Sequence, residues 1–376
     1  MFWMLAFVSL LFPLAVKIVF NSKISLAEWA LQTVITLVVV VSLYHFGRYN
    51  QTQDYEIWNG SVTSKEVKRE SCPWGWVDYQ DGFCTEYSTR QVKDGTKTCT
   101  GTGNDRRCTD NYKTQYNYHF SWEQKYFVFS NIGETWQINR VDRQGASTPG
   151  RWEMVNIGDA VSKTNSYTNY VKAAANSLFN KDKRLAEFYA DNIPEYPIEI
   201  YDYYRVNRAI TSPDTVVPNL DQYNAGLSDI LKELGPAKQM NAVILFTNIA
   251  DPAYADAVLN SWQGAKKNDA VIIAGINDDQ SIAWLRIHSW SKNKLFEVEL
   301  RDHLLDLGTI ADSAEFLNIV NTVAMNNFER QPMAEFEYLA DEIEPSTGFI
   351  IVIFVILIIL SAILTFIFHK HDIFGK

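Results

Sequence analysis

The sequence predicts an α/β protein: a layered αβα sandwich with a mixed sheet, preceded by a small disulfide-stapled β-rich domain and flanked by transmembrane helices at both ends. Three observations predict it. The apolar residues of the 376-residue chain gather in uncharged runs at its two ends, all four cysteines fall in one Thr- and Tyr-rich stretch, and a strand, helix, strand pattern runs from residue 242 to 276.

The chain is 47% apolar and 21% charged, with a formal charge of −10. These figures exclude a disordered acidic tail and a collagenous chain, and they argue against nucleic acid as a partner. A mean hydropathy of −0.16 is that of an ordinary soluble protein. With the apolar residues clustered at the ends, the average hides a membrane protein with a large aqueous part.

From Thr347 to Phe368 there are 22 residues without a charge, enough at about 1.5 Å per residue to cross a hydrocarbon core of about 30 Å. A second uncharged run, Trp29 to Phe46, is near the minimum for a span, with Trp29 and Tyr44 placed for its two interfaces. The first run, Met1 to Val16, contains Pro13 and lacks the basic start and small-residue cleavage site of a signal peptide. It reads as a retained membrane segment, either spanning with Lys17 snorkelling or lying in the interface. Residues 331–346 carry five carboxylates and no base, whereas Lys370 and Lys376, with His369 and His371, follow the last span. The excess of lysine puts the C-terminus in the cytoplasm and residues of about 49 to 345 outside, periplasmic or extracellular.

Cys72, Cys84, Cys99 and Cys108 lie within 37 residues, separated by 11, 14 and 8 residues. An even, clustered set in an external segment reads as two disulfides, and no pair has the short gap of a zinc knuckle. Three connectivities are open. Sequential pairing, Cys72 with Cys84 and Cys99 with Cys108, closes two hairpin-sized loops and is the expectation.

Residues 49–160 form the β-rich domain, with turn signals at Asp81-Gly82 and Asp94-Gly95 and alternating runs at Thr114–His119 and Tyr126–Phe129. Trp74, Trp76, Trp122, Trp136 and Trp152 read as core, with a sugar-binding or membrane-facing surface as the alternative. Arg106 and Arg107 sit at a solvated loop tip, and Asn50 and Asn59 lie in glycosylation sequons.

Residues 161–345 form the α/β domain. Residues 164–190 have helical character, and Ile198–Tyr204 reads as extended. A helical stripe from Leu220 to Leu234 ends at Gly235-Pro236. Ala242–Thr247 and Ala270–Ile276 are buried strands by their unbroken apolar runs. Between them Asp251-Pro252 opens a helix, so the strands are parallel and the crossover right-handed. Ile282–Ile287 follows as a strand, Leu295–Leu300 alternates, and Ile310 to Phe328 is a long helix. Residues 346–376 are the last span and a short tail.

Several of these residues resemble the TPM domain family, extracytoplasmic domains shared by photosystem II repair proteins and bacterial membrane proteins. The resemblance covers about residues 215–340 and rests on the strand Ala242–Thr247, on Ser261-Trp262-Gln263-Gly264, and on Ala265-Lys266-Lys267-Asn268-Asp269 leading into Ala270–Ile276. It rests also on Asn327-Phe328-Glu329-Arg330 before Phe336-Glu337-Tyr338-Leu339, and on the C-terminal membrane helix. Where the family commonly has a Gly-rich turn after the third strand, this chain has His288-Ser289-Trp290-Ser291-Lys292.

Parallel α/β sheets bind ligands outside the carboxyl ends of their strands, here Thr247–Asp251 and Ile276–Asp279. Asp251, Asp278 and Asp279 offer the oxygen donors that Ca²⁺ or Mg²⁺ prefers, against the plainer reading of a helix cap and two turn residues. The resemblance implies divalent-cation binding or weak phosphatase activity. The sequence presents no catalytic residue: no Ser or Cys in a nucleophile elbow accompanies His119, His288 or His303, and phosphate-loop, dinucleotide and zinc-protease motifs are absent. The reading is one that needs no catalytic residue: a membrane-anchored extracytoplasmic interaction or scaffold protein, with the lipid bilayer and a membrane or envelope protein as partners. A cation-dependent phosphate-ester hydrolase and a structural protein of a virus or bacterial surface are the alternatives.

Overall fold

A computed structural model describes residues 2–19, 24–71, 76–78, 84–86, 90–101, 106–115, 122–138, 148–174, 184–200 and 206–371. The chain divides into two units, one of Met1–Trp58, Thr164–Glu199 and Val206–Lys376, the other of Asn59–Lys163 with Ile200–Arg205.

The first unit opens with two apolar helices, α1 (Phe2–Val19) and α2 (Leu26–Thr52). Ser25 caps α2 in a reciprocal box: Glu28 N donates to Ser25 Oγ at 3.2 Å and Ser25 N to Glu28 Oε2 at 2.8 Å. The box starts the helix before Trp29, and the helix outlasts Phe46 by six residues. It then passes without a loop into the strand β1 (Gln53–Ser71).

Among the described residues seven further strands and one short helix follow: β2 (Trp76–Asp78), β3 (Cys84–Glu86), β4 (Arg90–Thr100), β5 (Arg107–Gln115), β6 (Trp122–Ser130), β7 (Thr135–Ile138), α3 (Gly150–Met154) and β8 (Ala160–Thr168). One sheet has the order β7-β6-β1-β8, with β1–β6 and β6–β7 antiparallel, and β2–β3 and β4–β5 are separate two-stranded ribbons. Among the described residues the core of the second unit comprises Val62, Val128, Ile138, Val155 and Val161, with Trp136 and Trp152 against it. Those two tryptophans are half-buried at the edge of this core; Trp74 and the side chains of Trp76 and Trp122 lie outside the described residues. Cys99 and Cys108 stand opposite each other in the β4–β5 ladder and form a disulfide. Cys72 and the side chain of Cys84 lie outside the described residues, as does His119.

Residues 164–190 do not begin as helix. β8 carries the chain to Thr168, because its Ser, Thr and Tyr residues are poor helix formers and find a ladder to join. Among the described residues α4 (Tyr170–Ala173) and α5 (Arg184–Phe188) follow. Residues 193–200 form no regular element, and 201–204 lie outside the described residues.

The α/β part comprises β9 (Ala209–Thr211), α6 (Leu220–Lys238), β10 (Asn241–Thr247), α7 (Ala253–Ser261), β11 (Asp269–Ile276), β12 (Ile282–Ser289), α8 (Leu295–Leu307) and α9 (Ser313–Asn327). Its sheet has the order β12-β11-β10-β9: β10 is parallel to β11 and β9, and β12 is antiparallel to β11. The unbroken apolar runs of β10 and β11 are buried on both faces. Ile244, Phe246, Ile272 and Ala274 face α6, α8 and α9, while Val243, Leu245, Val271 and Ile273 face α7.

Two helix expectations change. Leu295–Leu300 is helical, since Phe296, Leu300 and Leu304 are buried at intervals of four, and the apparent alternation comes from the exposed Val298 between Phe296 and Leu300. α6 outlasts Gly235-Pro236 to Lys238, because a proline in the last turn removes only one hydrogen bond there; Gln239, left-handed at φ 53°, closes it.

A 3-10 segment, Met333–Glu342, leads to α10 (Thr347–Lys370). Among the described residues α1, α2 and α10 are long and apolar enough to cross a membrane. They share a core of Leu5, Val40, Tyr44, Ile353 and Leu357. Along α2 the buried residues Glu28, Gln32, Thr36, Val40 and Tyr44 recur every four, a seam polar in its first half. Gln32 Nε2 donates to Ser361 O and Thr365 Oγ1, each at 3.2 Å.

Candidate functional site

At the carboxyl ends of the parallel strands, Thr247 is paired with Gly275, so the two predicted loops start side by side. The carboxylates there are used locally. Asp251 Oδ1 accepts from Ala253 N at 2.9 Å, ahead of α7, whose capping position is Pro252 and not Asp251, and Oδ2 accepts from Tyr189 Oη at 2.9 Å. These two bonds, the backbone one foremost, hold its carboxyl below the ordinary range. Asp279 Oδ1 accepts from Ser281 Oγ at 2.5 Å and N at 3.0 Å, which lowers it likewise. Asp278 is exposed. Among the described residues no group of three or more His, Cys, Asp or Glu is arranged to hold a metal ion. His303 is exposed on α8.

The opposite end of the sheet carries a denser site. Asp54 and Glu56 stand two apart at the start of β1 and so share a face, both buried, with Tyr55 exposed on the other. Asp54 Oδ1 accepts from Lys266 Nζ at 2.6 Å, with Lys172 Nζ at 3.5 Å. Its Oδ2 accepts from Asn169 Nδ2 at 2.9 Å and Tyr167 Oη at 3.0 Å. Burial pushes the Asp54 carboxyl up, but the Lys266 ammonium and these hydrogen bonds outweigh it and hold it below its usual value. Glu56 Oε1 accepts from Arg330 Nη2 at 2.5 Å, Trp58 Nε1 at 2.7 Å and Asn165 Nδ2 at 3.3 Å, with Lys267 Nζ at 3.8 Å. Lys267 also lies 4.3 Å over the Tyr167 ring, and burial lowers its ammonium. Asn268 Nδ2 reaches Ile57 O at 2.8 Å.

A strained turn aims these bases. After α7, Gln263, Gly264 and Ala265 are all left-handed, at φ 53°, 77° and 58°. Two of them are not glycine, an arrangement that persists only where its surroundings over-determine it. Gly264 N donates to Leu259 O at 2.8 Å, while Gly264 O accepts from Trp290 Nε1 at 2.8 Å and from His288 Nε2 at 3.2 Å. Burial lowers His288 to about 4, so its ring is neutral and its Nε2–H donates.

Beneath the turn Asp269 accepts from Asn241 Nδ2 (2.9 Å), Tyr196 Oη and Lys266 N (both 2.8 Å); burial nevertheless raises its carboxyl. Arg208, fully buried and lowered to about 10 by desolvation, donates to Asn241 Oδ1 at 2.9 Å. From the other side, Glu329 N donates to Ser291 Oγ at 3.0 Å and Lys292 N to Glu329 O at 2.9 Å. The stretches 261–269, 288–292 and 327–330 therefore meet at one place. Asp54 and Glu56, which complete it, escape sequence reasoning; their one signal is a D-x-E alternation directly after an apolar helix.

No family model matches this chain, and neither a curated protein nor a solved structure does. The site is thus known from its own chemistry. It holds two buried carboxylates against four cations and fixes the loops before β11 and after α9 to the strand that continues α2.

Proposed function

We propose that this protein is a membrane-anchored interaction or scaffold protein, with its aqueous units on the extracytoplasmic side and its α/β part of TPM type, assisting the assembly or upkeep of a membrane or envelope complex. One observation carries the reading: the buried node begins two residues beyond a helix long enough to span, so the α/β part is held to the membrane helices by a fixed joint rather than a tether. α10 adds a second attachment, with Arg48 donating to Ala340 O and Phe46 lying 6.3 Å from Phe349. A rigid domain close to the bilayer suits a module that positions a neighbouring protein, because little orientational freedom is lost on binding. The mixed sheet with helices on both faces supports the TPM reading, as does the meeting of the residues that carry the resemblance.

The test is extraction of the full-length protein from its native membrane in mild detergent, with and without a calcium chelator, followed by identification of what co-purifies. A stoichiometric membrane or envelope protein is expected. Absence of any partner, together with phosphate-ester turnover abolished by Asp278→Asn, would replace the reading with a hydrolase.

A further inference from the structure

The β4–β5 ribbon is built unlike the rest of the molecule. Among the described residues it pairs with no other strand, and none of its described side chains is buried. A two-stranded ribbon without a core is marginal in water, and here the Cys99–Cys108 disulfide closes it. It is also basic in an acidic chain, with six Lys or Arg against three Asp or Glu between residues 90 and 115. Asp110 is shared by Lys93 and by Lys97 at 3.6 Å, and Asp94 is occupied in a turn with Thr96. Arg106 and Arg107, both exposed at the stapled end, make no ion pair among the described residues.

The complementary charge lies in the same sequence. Residues 206–346 carry ten Lys or Arg against 21 Asp or Glu; Arg208, Lys238, Lys266 and Lys267 stand at the amino ends of the parallel strands, while Arg286 on β12 reaches Asp256 at 3.3 Å. The loops at the carboxyl ends, within residues 211–223, 247–256, 277–281 and 305–316, contain no base. They expose Asp214, Asp221, Asp251, Asp278, Asp279 and Asp312.

We propose that the stapled ribbon is a self-association arm, Arg106 and Arg107 docking on the acidic carboxyl-end loops of a second copy of this chain. The contact is heterologous, one surface meeting a different one, so it builds rows rather than closed pairs. Anchoring in a bilayer concentrates copies in a plane, which lets a weak, salt-sensitive contact act.

The full chain in detergent or lipid nanodiscs, followed by sedimentation, tests this. Association is expected at about 0.05 M salt and its loss at about 0.5 M. Arg106→Glu/Arg107→Glu should weaken association about tenfold or more, as should Asp221→Lys/Asp278→Lys, whose side chains hold no local hydrogen bond. Combining the four should restore it. Circular dichroism and thiol labelling verify that each variant is folded with its disulfide intact. A wild type monomeric at low salt overturns the proposal. So does association that the arginine variant loses but the aspartate variant keeps, since the arm then docks on another anion, such as lipid headgroups.

Discussion

Lys266 Nζ lies 2.6 Å from Asp54 Oδ1 although the two residues are 212 apart in sequence, and both side chains are largely buried. Removing one member strands the other charge, so Asp54→Ala and Lys266→Ala should each cost about 3–5 kcal/mol, with the double variant costing clearly less than the sum. Asp54 is held below the usual carboxylate range. Its stabilisation is therefore full above the ordinary carboxylate pKa of about 4 and lost as pH falls through the lower folded value. Thermal unfolding of the full chain in detergent, with and without the substitutions, reads both effects.

His288 titrates in the opposite chemical sense but with the same outcome on acidification. Folded, its pKa is about 4; unfolded, it is about 6.5. Between these values the unfolded chain binds the extra proton, so stability falls as pH drops through this window, by about 2 kcal/mol after allowance for partial exposure. His288→Gln keeps a donor toward Gly264 O and should flatten the profile between these two pH values. An unchanged slope would place the titration elsewhere.

Gly264 is left-handed at φ 77° between two residues of the same hand. Gly264→Ala should cost about 1–2 kcal/mol and disturb the aim of Lys266 and Lys267, whereas Gln263→Gly, exposed at φ 53°, should be neutral or stabilising by up to about 1 kcal/mol. Denaturation midpoints of the two variants check the sign.

Legibility followed the range of the interactions. The strands at 242–247 and 270–276 were readable to within a residue because an unbroken apolar run has no other use between turn signals. The Cys99–Cys108 pair was readable because eight residues suffice for a hairpin. In α8 the exposed Val298, standing between buried Phe296 and Leu300, imitates a period of two. The ionic node was out of reach. Asp54 and Lys266 each look like ordinary surface residues, and only the tertiary fold brings them together. The carboxyl-end aspartates were visible as a group, yet Asp251 and Asp279 spend their oxygens on neighbouring backbone and side-chain donors.

The attachment of α10 to α2 depends on Gly47. A Cβ there would meet the Phe349 ring at 2.6 Å and Pro345 Cβ at 2.9 Å, closer than real carbon contacts, so the two helices approach only because position 47 lacks a side chain. Gly348, one residue from Phe349, has nothing within 4 Å of where its Cβ would stand and serves as the control. Gly47→Leu should lower stability by about 1–3 kcal/mol, the usual cost of overpacking, while Gly348→Leu should leave it unchanged. Cysteines introduced on facing positions of α2 and α10 report the separation directly. Gly47→Leu should slow their cross-linking while the Gly348 variant does not, and equal rates in both would mean that the helices are held by the polar seam at Gln32 instead.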